Sequence, residues 1–190
     1  YEVLVIVDDV QAGCGRTGTF FSFEPAEIVP DIVCVSKSIS GYGLPLALTL
    51  FKRDLDIWEP GEHSGTFRGN NVAFVTGSEA LRFWETEEFP MKVKSKADHI
   101  SNFLANLTIE NEAAHAVPRG RGLFQGIHLG VPGLATLICQ TAFQKGLLME
   151  TSGAESDVVK LLPPLTISEE ILDRGLSIVQ ESLIIALDLK

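Results

Sequence analysis

Positive charge, cysteine and long apolar runs are all scarce in this sequence. Its 190 residues carry 15 Lys and Arg against 25 Asp and Glu, which gives a formal net charge of −10. Because binding to nucleic acid needs clustered positive charge, this balance argues against a nucleic-acid partner. No apolar run approaches the roughly 20 residues of a membrane helix, and we find no signal peptide. We therefore expect a cytoplasmic protein without a membrane partner.

Cysteine is too sparse to organise the fold. The three cysteines, Cys14, Cys34 and Cys139, form no C-x-x-C pair, and their number is odd. The spacing predicts neither a disulfide framework nor a zinc site, so reduced thiols are the expected state. The four histidines also lack the spacing of metal ligands, and we predict no metal site.

The composition is that of an ordinary globular protein, with 45% hydrophobic and 21% charged residues. An initiator methionine is missing, and Tyr1 leads almost at once into an apolar run. We therefore expect the sequence to be the C-terminal part of a longer chain.

Apolar periodicity predicts an α/β arrangement in the first half of the chain. Three apolar runs with β-branched residues predict strands, namely 3–7, 31–36 and 46–51. The first of them is typical of a buried parallel strand. Helical spacing follows over 71–85 and, beyond Pro90, over the amphipathic stretch 91–107.

The second half of the chain has an α+β pattern. The predicted strands are 122–129, 146–150 and 158–162, and the predicted helices are 136–144 and about 168–187. Thr166 and Glu169 fit a capping box at the start of the last helix, although Ser168 competes as its N-cap. We predict two domains, an α/β part over 1–92 and a smaller α+β part over 93–190 that begins with a linker helix.

Residues Gly13–Gly18 spell G-x-G-x-x-G, the pattern of dinucleotide-binding loops. In such a loop the first glycine follows a strand directly and the last glycine opens a helix. Here residues 8–11 separate the strand from the loop, and no helical periodicity follows Gly18. The next strand ends in Ser36-Lys37 and not in the usual acidic residue. The pattern therefore argues against a nicotinamide or flavin dinucleotide site.

Two chemically useful residues follow predicted strands. Asp8 comes after the first strand and Lys37 after the second, and ligands of α/β sheets bind at the carboxyl ends of strands. Neighbouring or next-but-one strands would place these ends roughly 5–10 Å apart. A solvated surface lysine is the simpler alternative, but Ser38, Ser40 and Gly41 leave room for a bulky planar partner. An amine near a carboxylate fits pyridoxal phosphate, whose aldehyde binds lysine and whose pyridine nitrogen a carboxylate keeps protonated.

Five further stretches match a known set of motifs in order. They are VDDVQAGCGRTG (7–18), PDIVCVSKSISGYGLPLA (30–47), HSGTFRGNNVAFVTGSEAL (63–81), PRGRGLFQGIHL (118–129) and KLLPPLTISEEIL (160–172). Over essentially the whole chain they resemble the class III aminotransferases, a fold type I family that uses pyridoxal phosphate. The resemblance implies part of a large α/β domain with a mostly parallel sheet, followed by a small α+β domain. It is closest to the branch that makes 2,4-diaminobutyrate for ectoine biosynthesis.

The resemblance also implies a role for each matching residue. Asp8 would contact the pyridine nitrogen, Gln11 would lie beside the ring's 3-hydroxyl, and Lys37 would bind the cofactor covalently and move the proton. Thr66 would hydrogen-bond the cofactor phosphate from the partner subunit, which implies at least a homodimer with shared active sites. The simpler alternatives are a turn role for Gln11, an unremarkable Thr66, and an ion-pair role for Asp9 where the family has glutamate.

Two departures from the family pattern concern the substrate and the extent of the chain. Many relatives have arginine three residues before Pro-Pro, where this chain has Lys160, a point charge without a planar fork. Arg68 is the expected helper for the substrate carboxylate, with a solvated surface arginine as the alternative. Because Lys37 supplies the acid–base group, His63 and His128 are expected to be structural.

The family's phosphate cup and ring-stacking aromatic lie upstream of this sequence. We therefore expect the 190 residues alone to be inactive and to expose apolar sheet surface. The implied reaction moves an amino group from glutamate to aspartate 4-semialdehyde. An ornithine or 4-aminobutyrate aminotransferase is the first alternative, against which Lys160 speaks. A non-catalytic protein on the same scaffold is the second, against which the joint presence of Asp8, Lys37 and Thr66 speaks.

Overall fold

The structure, a computed structural model, describes residues 3–41, 43–66 and 68–189. The chain divides into two compact units, Tyr1–Met91 and Lys92–Lys190. Within the described ranges, no helix has the length and apolarity that crossing a membrane requires. The three cysteines are free thiols.

The first unit is built on a three-stranded sheet. Its strands are β1 (Ile6–Asp8), β2 (Ile32–Val35) and β3 (Leu48–Phe51), in the order β1-β2-β3. β1 and β2 are parallel neighbours, as the sequence predicts for the first strand. β3 runs antiparallel to β2, because the described residues between them, 36–41 and 43–47, form a short 3-10 turn and a loop and contain no crossover helix.

Much of this sheet is open to solvent. Val3, Leu4 and Ile6 are 74, 54 and 61% exposed, so the prediction of a buried first strand is wrong for this chain. The reason is that β1 is an edge strand, and no described residue pairs with its outer edge. All four residues of β3 are exposed as well. The expected exposed apolar sheet surface is therefore present.

A small core lies at the junction of β2 with the loop that follows β1. Its buried members are Cys14, Val33, Val35 and Ile39, with the partly buried residues Val7, Phe20, Phe21, Phe23 and Leu46 packed against them. The three phenylalanines that follow the glycine-rich loop thus pack against the same core as β2. This core holds the loop after β1 and the turn after β2 in fixed positions.

Two helices complete the path of the first unit. α1 (Asn71–Leu81) begins at Asn70, whose side chain accepts hydrogen bonds from the Val72 and Ala73 N–H groups at 3.1 and 3.2 Å. It gives way to a 3-10 turn over Arg82–Trp84, so the predicted helix is α-helical only as far as Leu81. α2 (Glu88–Glu110) continues into the second unit. Pro90 lies in its first turn, where backbone N–H groups form no intrahelical hydrogen bond, so the proline is tolerated there.

The second unit contains an antiparallel sheet and the rest of the helices. The strands are β4 (Ala116–Arg121), β5 (Phe124–Leu129), β6 (Glu150–Ser152) and β7 (Val158–Leu161), in the order β4-β5-β7-β6. The helices are the main part of α2, α3 (Leu134–Gln144) and α4 (Glu169–Asp188). The predicted spacing of α2 is confirmed by its buried residues, which include Val93, Ala97, Ile100, Leu104 and Leu107.

One strand of this unit was not predicted, and another is displaced. β4 contains Pro118 and Gly120, which interrupt a strand pattern, but it forms as an edge strand by pairing with β5. The strand predicted over 146–150 begins only at Glu150, because Gly146, with φ +86°, lies in the turn after α3. Ser168 and not the capping-box residue Thr166 caps α4, since its side chain accepts from the Ile171 N–H at 3.3 Å.

Candidate active site

The carboxyl ends of β1 and β2 lie side by side and carry Asp8 and Lys37. Asp8 is the last residue of β1 and is in register with Cys34 of β2. Lys37 follows Cys34 by three residues, at the start of a 3-10 turn over Lys37–Ser40. The sequence left open whether one more strand separates these two ends. In the structure β1 and β2 are direct neighbours, so the Asp8 carboxylate and the Lys37 amine lie at the same edge of the sheet.

The carboxylate of Asp8 is exposed at this edge and is held from one side. Its Oδ1 accepts a hydrogen bond from the Val10 N–H at 3.1 Å. This bond, from an aspartate to the backbone two residues on, is typical of a turn. It fixes the direction of the carboxylate relative to the start of the following loop.

Lys37 has an unusual backbone conformation. Its φ of +53° lies in the left-handed region, which residues other than glycine seldom adopt. Such conformations cost roughly 1–3 kcal/mol and are concentrated at functional sites. The side chain is exposed, and within the described ranges its ammonium group has no hydrogen-bond or ion-pair partner. No sequence signal predicts this conformation.

The turn that carries Lys37 is held by bonds at both ends. The Ser36 hydroxyl donates to the Leu46 carbonyl at 2.9 Å, and the buried Ser40 hydroxyl accepts from the Gly43 N–H at 3.1 Å. A Cβ on Gly41 would collide with Ala80 of α1, so only glycine lets the turn approach the helix this closely. The small residues that the sequence places after Lys37 are thus used for packing the turn on α1.

The glycine-rich loop after β1 also has a packing explanation. A Cβ on Gly15 would collide with the ring of Trp84, which in turn packs against Phe20 with ring centroids 5.6 Å apart. The Gly15 N–H donates to the Phe20 carbonyl at 3.2 Å. The loop closes on itself and on aromatic rings, and no helix begins at its last glycine. These contacts agree with the prediction that G-x-G-x-x-G is not a dinucleotide loop here.

Gln11 and Thr66 are exposed residues of two different loops. Gln11 lies in the loop after β1, and Thr66 lies between β3 and α1. Among the described residues, no hydrogen bond joins either side chain to Asp8 or Lys37. Phe67, which gives the Thr66 motif much of its weight, lies outside the described residues.

Arg68 binds its own loop. Its Nη1 lies 2.6 Å from His63 Nε2, and its Nη2 donates to the His63 carbonyl at 3.1 Å. The His63 ring stacks on Trp58 with centroids 4.7 Å apart and an interplanar angle of 17°. A guanidinium group has five N–H donors, so three remain for another ligand.

Lys160 lies on β7 in the second unit. Its Nζ donates to Glu150 Oε2 on the neighbouring β6 at 2.6 Å, and its side chain is 18% exposed. The lysine that would bind a substrate carboxylate is thus already paired with a carboxylate of this chain. In the same unit His128 Nε2 lies 3.2 Å from Asp157 Oδ2, and the buried His128 Nδ1 has no hydrogen-bond partner within the part of the chain that the structure describes.

Sequence reasoning underestimated Asp9, the residue after Asp8. It was expected at most to form an ion pair, but within the described ranges it has no cation partner. It is 1% exposed, and its Oδ2 accepts from the Ser22 N–H at 2.9 Å. The only sequence signal at this position is an aspartate where the family resemblance implies glutamate.

The comparisons with known proteins now identify the family. The family model described as Aminotransferase class-III matches residues 1–183. The chain belongs to the class III aminotransferases.

Similar class III aminotransferases include two named diaminobutyrate–2-oxoglutarate transaminase. The protein of Halalkalibacterium halodurans is 55% identical over 183 residues, which cover 96% of this chain and 43% of that protein. The protein of Nocardia farcinica is 57% identical over 178 residues, which cover 93% of this chain and 40% of that protein. The chain therefore spans less than half the length of these relatives.

Two solved aminotransferase structures have the same fold. Ornithine delta-aminotransferase of Plasmodium falciparum matches with a TM-score of 0.83 and 29% identity, over 99% of this chain and 48% of that one. N-acetylornithine aminotransferase of Stenotrophomonas maltophilia matches with a TM-score of 0.85 and 28% identity, over 100% of this chain and 49% of that one. The α/β fold is that of the fold type I aminotransferases.

The residues at the strand ends fit pyridoxal phosphate, the cofactor that the family uses. Asp8 has an exposed carboxylate, and its Oδ2 forms no hydrogen bond within the described ranges. Lys37 has an exposed amine without a described partner, on a turn whose strained start fixes where the side chain leaves the backbone. A carboxylate for the ring nitrogen and an amine for the aldehyde are two of the groups that this cofactor needs from the protein, and both lie at the ends of adjacent parallel strands.

Proposed function

We propose that this chain is part of a cytoplasmic, pyridoxal-phosphate-dependent transaminase that converts aspartate 4-semialdehyde to 2,4-diaminobutyrate with glutamate as the amino donor. This is a step of ectoine biosynthesis. The observation that carries the proposal is that Asp8 and Lys37 lie at the carboxyl ends of two adjacent parallel strands. The substrates are proposed from relatives that share more than half of their aligned residues with this chain and are named for that reaction.

The proposed roles follow from the chemistry of each side chain. Pyridoxal phosphate, when bound, supplies an aldehyde and an electron-withdrawing ring. Asp8 holds a proton on the ring nitrogen through its free carboxylate oxygen. Lys37 offers its Nζ to the aldehyde and afterwards moves the proton taken from the substrate α-carbon. Gln11 binds beside the 3-hydroxyl, and Thr66 binds the phosphate of the partner subunit's cofactor, so that at least a homodimer is required.

Recognition of the substrate carboxylate is proposed for Lys160, with Arg68 as a helper. Lys160 would exchange its Glu150 partner for the substrate, and Arg68 has donors beyond those that His63 uses. If both groups bind the carboxylate, Arg68→Ala and Lys160→Ala raise KM for glutamate and leave kcat nearly unchanged. Unchanged kinetics of both half-reactions in Arg68→Ala would exclude the helper role.

The decisive experiment uses a full-length enzyme, meaning a protein of the relatives' length that contains these residues. Release of 2-oxoglutarate from glutamate is measured with aspartate 4-semialdehyde, and the reverse reaction with diaminobutyrate, ornithine and 4-aminobutyrate as amino donors. We expect diaminobutyrate to be the best donor of this panel. A preference for ornithine or 4-aminobutyrate would overturn the proposed substrate but not the proposed chemistry.

Lys37→Ala tests the chemistry itself. Loss of both the covalent anchor and the proton carrier should lower the rate by at least about 10³-fold. Lys52→Ala is the matched control, because Lys52 is an exposed lysine of the same unit whose Nζ pairs with Asp31 at 2.7 Å. Equal activity of Lys37→Ala and Lys52→Ala would show that the scaffold does not catalyse transamination through this lysine.

A further inference from the structure

The residue next to the proposed cofactor carboxylate is buried, and nothing in the proposed reaction uses it. Asp9 is 1% exposed, and its buried Oδ1 has no hydrogen-bond partner among the described residues. A buried carboxylate that lacks a cation partner is costly, so the structure retains it at the expense of stability. The cost of burying the Asp9 carboxylate indicates that it contributes to the structure of the surrounding loop.

Asp9 connects three separated points of the chain. Its N–H donates to the Cys34 carbonyl at 2.9 Å, which ties it to the end of β2. Its Oδ2 accepts from the Ser22 N–H at 2.9 Å, which ties it to the far end of the loop, and its carbonyl accepts from the Gly13 N–H at 3.0 Å. We refer to these three bonds as the Asp9 clasp.

The loop is shaped to fit the clasp. A Cβ on Gly13 would lie 2.8 Å from the Asp9 carbonyl oxygen and 2.9 Å from Asp9 Oδ2. The backbone at Gly13 therefore packs directly against the carboxylate, with no space for a side chain between them. The neighbouring Cys14 is also affected, because burial first and the charge of Asp9 second raise the pKa of its thiol to about 11.

The clasp has a direct consequence for Asp8. The N–H that Asp8 Oδ1 accepts belongs to Val10, the residue on the other side of Asp9. Because the clasp fixes Asp9, it fixes both the backbone that carries the Asp8 side chain and the donor that orients it. A loop free to move would carry this donor away from the carboxylate.

We propose that Asp9 is a positioning residue for Asp8: its buried carboxylate holds the 9–22 loop to the strand ends, and so sets the direction in which Asp8 faces the cofactor ring. The inference rests on the proposed function of Asp8. It assigns to Asp9 a hydrogen-bond acceptor role and not a charge role, since all of its observed bonds come from backbone N–H groups or involve its own backbone.

The test measures the dissociation constant of pyridoxal 5′-phosphate, titrated into the full-length apoenzyme. Asp9→Ala should weaken binding at least about tenfold, equivalent to 1.4 kcal/mol. Asp9→Asn should bind within about threefold of the parent, because an amide oxygen accepts the same bond from Ser22. The double variant Asp8→Ala/Asp9→Ala should bind no more weakly than Asp8→Ala, because Asp9 acts through Asp8.

Gly13→Ala disturbs the clasp while Asp9 itself is unchanged, because the added Cβ would collide with Asp9. This variant replaces Asp9→Ala in the test if Asp9→Ala does not fold. It should weaken cofactor binding, whereas Gly175→Ala, whose added Cβ has one neighbour at 3.9 Å, should not. The inference would be overturned if Asp9→Ala had a lowered thermal midpoint but an unchanged affinity for the cofactor. The same result in Gly13→Ala would overturn it if that variant replaces Asp9→Ala. Additive losses in the double variant would do the same.

The two proposals fail in different ways. If Asp8→Ala leaves both cofactor affinity and transamination unchanged, the proposed function of the strand ends is wrong. If Asp8→Ala lowers both while Asp9→Ala and Gly13→Ala lower neither, the proposed function stands and only the positioning role of Asp9 is excluded.

Discussion

Cys14 shows how burial at a single residue controls the response of the fold to pH. Its side chain is 5% exposed, and burial, assisted by the charge of Asp9, raises the pKa of the thiol from 9.0 to about 11. Between these values the folded chain keeps a proton that the unfolded chain loses. This contribution to stability is therefore present below pH 9 and is lost as the pH rises towards 11.

The prediction is that the chain becomes less stable between pH 9 and 11, by an amount on the order of 2 kcal/mol from this one group. Urea unfolding at several pH values measures the effect, and Cys14→Ala supplies the reference because it cannot ionise. The difference in the free energy of unfolding between the parent and Cys14→Ala should fall as the pH rises. A difference that does not depend on pH would show that the thiol has its ordinary pKa in the folded chain.

The positions of residues relative to the predicted strands predict part of the candidate site. The sequence predicts that Asp8 and Lys37 lie at one edge of the sheet, because each comes at the end of an apolar strand and parallel strands end at the same edge. The left-handed φ of Lys37 and the burial of Asp9 could not be found, since both depend on contacts with Cys34, Ser22 and the turn after β2. Such contacts join residues that sequence spacing does not relate.

Among the secondary-structure elements, α2 has a buried lysine that connects it to a distant loop. Lys96 is 8% exposed, and its Nζ donates to the carbonyl oxygens of Leu165 and Ile167, just before α4. Burial lowers the pKa of this ammonium group. The Lys96 side chain thus supplies the hydrogen-bond donor for two carbonyl groups of an irregular segment.

Lys96→Met should destabilise the chain by about 2–4 kcal/mol, because it leaves both carbonyl groups without their donor. Lys94→Met is the matched control on the same helix, since Lys94 is 74% exposed and its Nζ pairs with Asp98 at the surface. The control should lose less than about 1 kcal/mol. Urea unfolding of both variants measures the difference, and equal losses would show that the two bonds of Lys96 contribute nothing net.

Elements differ in how well the sequence predicts them. α2 and α4 follow from their apolar spacing, and the error in their ends is three residues or fewer. β4 could not be predicted, because Pro118, Gly120 and two arginines give no strand pattern, and it exists only through its pairing with β5. The antiparallel direction of β3 likewise depends on the short connection that follows β2 and not on the apolar run itself.

On the scale of the whole molecule, the two units have very different cores. Among the described residues, only five buried apolar side chains precede residue 92, namely Cys14, Val33, Val35, Ile39 and Ala73. The second unit buries many more, including Ile100, Leu104, Leu107 and Leu183 at 2% exposure or less. The first unit instead exposes large apolar side chains such as Val3, Val29, Ile57 and Val75, each more than 70% exposed. Since stability follows buried apolar area, local opening should be far more frequent in the first unit.

Limited proteolysis of the 190-residue chain tests this asymmetry. Proteases cleave segments that open locally, so the first unit should be digested early, and a resistant product should retain α3 and α4. The exposed apolar side chains should also bind a hydrophobic dye, and the signal should fall as the first unit is digested. Mass spectrometry of the products identifies the boundary, which we expect between residues 85 and 95. Digestion of both units at equal rates, or a resistant product from the first unit, would show that its small core is sufficient without further partners.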